Sequence, residues 1–120
     1  MVAGGLGGII GVPFPGAEVL IAASVLLLGV AIASALTDDE GAAWVLPILA
    51  VAGLAHGYAH GAEAPSSAHP ALYIGGFLLA TGCIHVAGVG VGTVIRDRRL
   101  ARVTIGAATA TAGALLLLTA

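Results

Sequence analysis

The chain has no lysine, one cysteine and little charge of either sign. Four arginines and six acids make up 8% of its 120 residues, against roughly 25% charged residues in a soluble domain. A water-soluble fold of this length needs a polar surface larger than its core, and ten charged groups cannot supply one. The lone Cys83 has no partner for an internal disulfide; in its apolar run it reads as a small packing residue. All positive charge, Arg96, Arg98, Arg99 and Arg102, lies within seven residues. One short basic cluster beside an apolar run argues against nucleic-acid binding and for a topology signal. The first twelve residues have no basic region of the kind that opens a signal peptide. There is no ATP-binding loop. There is also no nucleophile–base set, since Ser24 and Ser34 lack evident partners and Asp38 and Asp39 are placed at the surface. The expectation is therefore not an enzyme.

What is present is apolar: 59% of residues are hydrophobic, 19 are glycine, and mean hydropathy is +1.11. Lipid as the solvent permits an apolar outer face, and small residues suit close helix packing in a bilayer. The expected fold is all-α, a polytopic transmembrane helix bundle of about four spans in one domain, residues 1–120. The spans are expected at 15–36, 42–61, 71–95 and 103–120. Residues 1–12 are apolar but shorter than the about 20 residues that cross a bilayer. They read as a re-entrant stretch, the tail of a span or a frayed end. Pro13 and Pro15 then interrupt the chain, Asp38, Asp39 and Glu40 precede the second span, and Pro65 to Pro70 punctuate the next loop. Pro47 is expected in the second turn of its span, and Trp44 and Tyr73 near span ends read as interfacial anchors. Thr104, Thr109 and Thr111 can return their hydroxyls to their own helix. The positive-inside rule puts the loop at 96–102 in the cytoplasm, and the acids at 38–40 on the same side.

Polar groups in hydrocarbon cost ~2.5–3.5 kcal/mol for a mid-helix charge. Glu18, His56, His60, Glu63 and His85 therefore need explaining. His56, His60 and Glu63 have the spacing i, i+4, i+7 and fall within about 60° of arc on one helical face. Two imidazoles one turn apart can share a metal ion, and a carboxylate adds an oxygen ligand or orients a histidine. Gly57 and Gly61 beside them leave room for another helix or a hydrated ion. With Glu63 at the outer edge, His60 lies ~5 Å and His56 ~10 Å deeper, and His85 lies ~21 Å from the outer start of its helix. Together with Glu18 the five groups suggest a ladder of exchangeable ligands, as cation conduction requires. Each has a plainer reading too. Glu18 suits a helix N-terminus, Glu63 could be an ordinary loop acid, and His85, if buried, could bond a backbone carbonyl across a helix contact. His69 reads as a solvated loop residue.

The same residues carry a family resemblance. His56-Gly57-Tyr58-Ala59-His60-Gly61-Ala62-Glu63 resembles the H-G-x-A-H-G-x-E signature of the HupE/UreJ family of hydrogenase and urease accessory membrane proteins. Glu18 through Gly29 is similar to its E-x-x-I-A-x-S-V-L-x-L-G helix. Gly76 through Thr81, with His85 and Gly88, is similar to its G-F-x-L-A-T-x-x-x-H-x-x-G helix. The three motifs run in order over about residues 11–92. The resemblance implies a multi-pass protein of the bacterial inner membrane tied to nickel supply or cobalt uptake, with Glu18, His56, His60, Glu63 and His85 on the metal path. Two departures stand out. The family's N-terminal H-P-x-x-G-x-D-H motif is absent, as from a shortened homologue, from one whose missing helices lie on another chain, or from one with an incomplete metal path. Ala64 stands where the family often has methionine.

Three functions follow. The first is a permease or accessory protein for Ni²⁺ or Co²⁺, with Zn²⁺ suited to the same imidazole and carboxylate donors. The second is a haem b subunit using His56 and His85, although the ~11 Å difference in depth opposes one shared haem. The third is a structural subunit of a larger membrane complex. A homo-oligomer or a partner membrane subunit suits all three.

Overall fold

The computed structural model describes residues 1–34, 39–65, 67 and 69–120, with the side chains of 39–42 and 44 outside the description. Five helices follow in order: α1 Val2–Ile9, α2 Ala17–Ser34, α3 Asp39–Ala62, α4 Pro70–Ile95 and α5 Arg99–Leu117. Among the described residues there is no strand. Among the described residues, four helices are long and apolar enough to cross a membrane, and the shortest apolar stretch has 18 residues. At 1.5 Å per residue that is about 27 Å, close to the ~30 Å hydrocarbon core. The protein is a multi-pass membrane protein of all-helical architecture.

The ends of the spans differ from expectation where local chemistry intervenes. Glycines at positive φ, Gly11 (73°) and Gly16 (81°), flank the Pro13-Phe14-Pro15 break, so α2 starts at Ala17 rather than 15. Pro70 occupies the first turn of α4, where its missing N–H costs nothing. The fourth span starts at Arg99 rather than 103, because arginine is a good helix former and its N-terminal turn extends into the loop. Pro47 is the ninth residue of α3 and so lies beyond its second turn. The acid at 38 and the side chain of Trp44 are outside the described residues.

Residues 1–12 do not fray. They form α1, which lies on α3 with backbone against backbone. A Cβ at Gly4 would meet the Leu54 carbonyl, and one at Gly57 or Gly61 would meet Met1 or Gly5. The second tight pair is α2 on α5, where a Cβ at Gly106 would meet the Gly29 carbonyl and Ala33. α2 also packs on α3, joining the two pairs. Accordingly, the buried hydrophobic side chains among the described residues are three alanines, Ala17, Ala22 and Ala55. Large aliphatic side chains such as Leu72, Leu79, Ile84 and Val86 point outward, as lipid allows.

α4 stands apart. Among its described residues none is buried. Gly75, Gly76, Gly82, Gly88, Gly90 and Gly92 have no atom within 4 Å of a would-be Cβ. Its hold on the bundle is concentrated near its start, against the end of α3, with a slight contact to α5.

Candidate metal site

Helix α3 ends at Ala62, and its final carbonyls lose their helical partners there. The Glu63 amide still donates to the Ala59 carbonyl (3.0 Å), but the Ala64 amide turns short to Gly61 (3.3 Å). This leaves the carbonyl of His60 free, and the Tyr73 hydroxyl donates to it at 2.8 Å. Phe77, one turn further along α4, sets its ring 5.0 Å from the His60 imidazole. Tyr73 is thus more than an interfacial anchor: it ties α4 to the segment bearing the histidines. A buried phenol needs a partner, which is the signal that could have found it.

The two histidines of α3 meet. His56 Nε2 and His60 Nε2 are 3.2 Å apart, and their rings are edge-on with centroids separated by 4.8 Å. With neutral rings, one Nε2–H donates to the other Nε2. With the proton moved to Nδ1 on both rings, both lone pairs point into the same space. Metal–nitrogen bonds of ~2.0–2.1 Å drawn to atoms this far apart enclose an angle of about 100–106°, close to tetrahedral. The pair therefore fits one transition-metal ion. His60 is half-buried and His56 is exposed.

The carboxylates come together elsewhere. Glu18, in the first turn of α2, and Glu63, just past α3, line one open cleft of about 450 Å³ with Phe14 and Tyr58. The rings of Phe14 and Tyr58 stack edge-on at 5.3 Å and form its wall. Tyr58, Ala59 and Ala62 face this cleft, whereas Gly57, His60 and Gly61 face a separate narrow cavity toward α1 and α4. Glu63, whose amide keeps the helical bond to the Ala59 carbonyl, lies one turn above Ala59 and falls with the first group.

His85 lies midway along α4 and is exposed. Its Nδ1 donates to the Thr81 carbonyl one turn back, at 2.8 Å. The carbonyl can only accept, so the proton is on Nδ1 and the neutral ring presents Nε2 as a free lone pair. Among the described residues, no group of three or more histidine, cysteine, aspartate or glutamate side chains converges on one point. The five groups lie as one histidine pair, two carboxylates lining one cleft, and one separate imidazole.

A family model described as HupE / UreJ protein matches residues 1–116. The chain belongs to the HupE/UreJ family. Protein HupE of Rhizobium leguminosarum bv. viciae is 36% identical over an alignment of 120 positions that covers 98% of this chain and 61% of that relative. The chain thus spans about three fifths of the relative's length. No solved structure matches. The HupE/UreJ match takes in α1 and α5 as well as the three motif-bearing helices, so the glycine contact between α1 and α3 lies within the family region.

The Tyr73 tie yields a first prediction. Tyr73→Phe costs about 1 kcal/mol, the usual net value of one hydrogen bond. Denaturant titration of the solubilised protein checks it. Metal affinity stays within about threefold, because the hydroxyl holds the His60 carbonyl and not its ring.

Proposed function

We propose that this chain is a membrane permease or accessory module for a divalent transition-metal ion, Ni²⁺ or Co²⁺, which the His56/His60 pair binds and releases. The observation that carries the reading is the 3.2 Å approach of two Nε2 atoms within an apolar span. Intramembrane imidazoles are kept where they have a partner or a cation. Imidazole selects borderline ions over Mg²⁺ and Ca²⁺. Glu18 and Glu63 act as the collecting mouth: their cleft raises the local cation concentration before the ion reaches the pair. His85, with its free Nε2, is a later ligand on the path. The reading places the chain in the bacterial inner membrane with 96–102 on the cytoplasmic side. Its family membership and the nickel- and cobalt-linked chemistry implied by the motif resemblance favour these two ions.

Equilibrium titration of the detergent-solubilised protein with Ni²⁺, Co²⁺ and Mg²⁺ tests it. Ni²⁺ and Co²⁺ bind and Mg²⁺ does not. Acidification weakens binding, because protonated imidazole has no lone pair. When both rings carry a second proton, affinity falls by up to about two decades per pH unit. Equal binding of Mg²⁺, or binding indifferent to acid, contradicts imidazole ligation.

The carboxylates give a separate expectation. Glu18→Gln/Glu63→Gln slows metal association by about tenfold at low salt, and the difference shrinks as salt rises. The dissociation rate from the histidines is unchanged. Stopped-flow binding at two ionic strengths reads both rates.

A further inference from the structure

All four cations of the chain are gathered at the α4–α5 turn, and the metal reading leaves them without a task beyond orientation. Four arginines against one aspartate leave residues 96–102 with a net charge of +3. Asp97 is engaged with Arg96, Oδ2 to Nε at 3.6 Å, both side chains well exposed. Arg98, Arg99 and Arg102 have no carboxylate partner among the described residues.

Arg102 differs from the other three. It folds back across the turn, and its Nη1 donates to the Arg96 carbonyl at 2.7 Å. This holds the guanidinium in place. Its Nε is shielded from solvent and has no hydrogen-bond partner among the described residues. A shielded, unsatisfied donor on a fixed cation costs free energy until an acceptor arrives. Arg98 is the N-cap of α5 and Arg99 its first residue, four and three positions before Arg102, so the three occupy neighbouring positions on the first turn. Leu100, 81% exposed, and the exposed Val94 and Val103 lie directly beside them. The surface therefore offers one anchored and two exposed guanidinium groups for a phosphate, next to bare aliphatic side chains for an acyl chain.

We propose that Arg98, Arg99 and Arg102 bind the phosphate headgroup of an anionic phospholipid, whose acyl chain runs down the open side of α4. A lipid is favoured over a free anion because the donors sit at a span's end with exposed aliphatic residues on both flanks. Such basic turns at the membrane surface hold anionic headgroups at about 1 kcal/mol per arginine. The guanidinium forks suit phosphate oxygens two at a time. A bound lipid would also brace α4, the helix that packs least on its neighbours. The competing occupants are the acids at 38–40, which parity puts on the same side of the bilayer.

Native mass spectrometry of the solubilised chain, mixed with equal phosphatidylglycerol and phosphatidylcholine, tests the proposal. Phosphatidylglycerol is retained at least about tenfold over phosphatidylcholine, and Arg98→Gln/Arg99→Gln/Arg102→Gln brings that preference to within about twofold. Should the triple variant fail to fold, the exposed Arg99→Gln alone lowers the preference by about fivefold. No preference in the wild type, as when 38–40 already neutralise the arginines, overturns the proposal. So does a preference undiminished in the variants. Loss of the adduct on adding inorganic phosphate at equal concentration overturns the lipid assignment in favour of a free-anion site.

Discussion

Replacing His56 and His60 together by alanine lowers Ni²⁺ affinity by at least about 100-fold. Even residues that merely orient a metal ligand are worth 10–100-fold in affinity, and this variant removes both converging Nε2 atoms. Each single replacement loses most of the same effect, because it leaves one imidazole where two Nε2 atoms had converged. His69→Ala, in the loop before α4, leaves the affinity unchanged. Calorimetric titration of the four variants beside wild type separates these cases. A double variant that binds as tightly as wild type removes the histidine pair from the account.

The second large effect is structural. Gly106→Leu disrupts the α2–α5 pair, because the new side chain meets the backbone at Gly29 and Ala33. Backbone cannot swing aside as a side-chain tip does, so the cost reaches at least the ~1–3 kcal/mol of ordinary overpacking. In a bilayer this packing has no hydrophobic drive between helices to replace it. Yield of monodisperse protein and denaturation midpoint both fall. Gly82→Ala on α4 is the control. No atom lies within 4 Å of its would-be Cβ, so the variant keeps or slightly gains stability from the higher helix propensity of alanine. If the two glycines respond alike, the contrast between a tightly paired α2–α5 and an open α4 is wrong.

The membrane class and the four spans were legible because hydropathy and length are sufficient evidence for helices in lipid. The role of residues 1–12 was not. Gly57 and Gly61 were visible as room beside the histidines, but room alone does not say whether an ion or a backbone fills it. The backbone of α1 fills it. The approach of His56 to His60 followed from i, i+4 spacing within one helix. Glu63 shares that spacing, yet it also stacks one turn above Ala59 and lines the cleft with Glu18. Helical spacing leaves open which of two neighbouring faces a side chain at their border joins. The plainer reading of His85 had it bond a backbone carbonyl across a helix contact; it bonds Thr81 on its own helix instead, a choice that depends on rotamer. Tyr73 was read from its position near a span end. Its bond to the His60 carbonyl depends on where α3 stops.

The central claim is that the Nε2 atoms of residues 56 and 60 share one ion. X-ray absorption at the nickel edge, on protein loaded with one Ni²⁺ per chain, tests it most directly. The account predicts two imidazole nitrogens at about 2.0–2.1 Å, with their outer-ring scattering lost in His56→Ala/His60→Ala. A spectrum that shows only oxygen neighbours, or that is identical in the double variant, contradicts it.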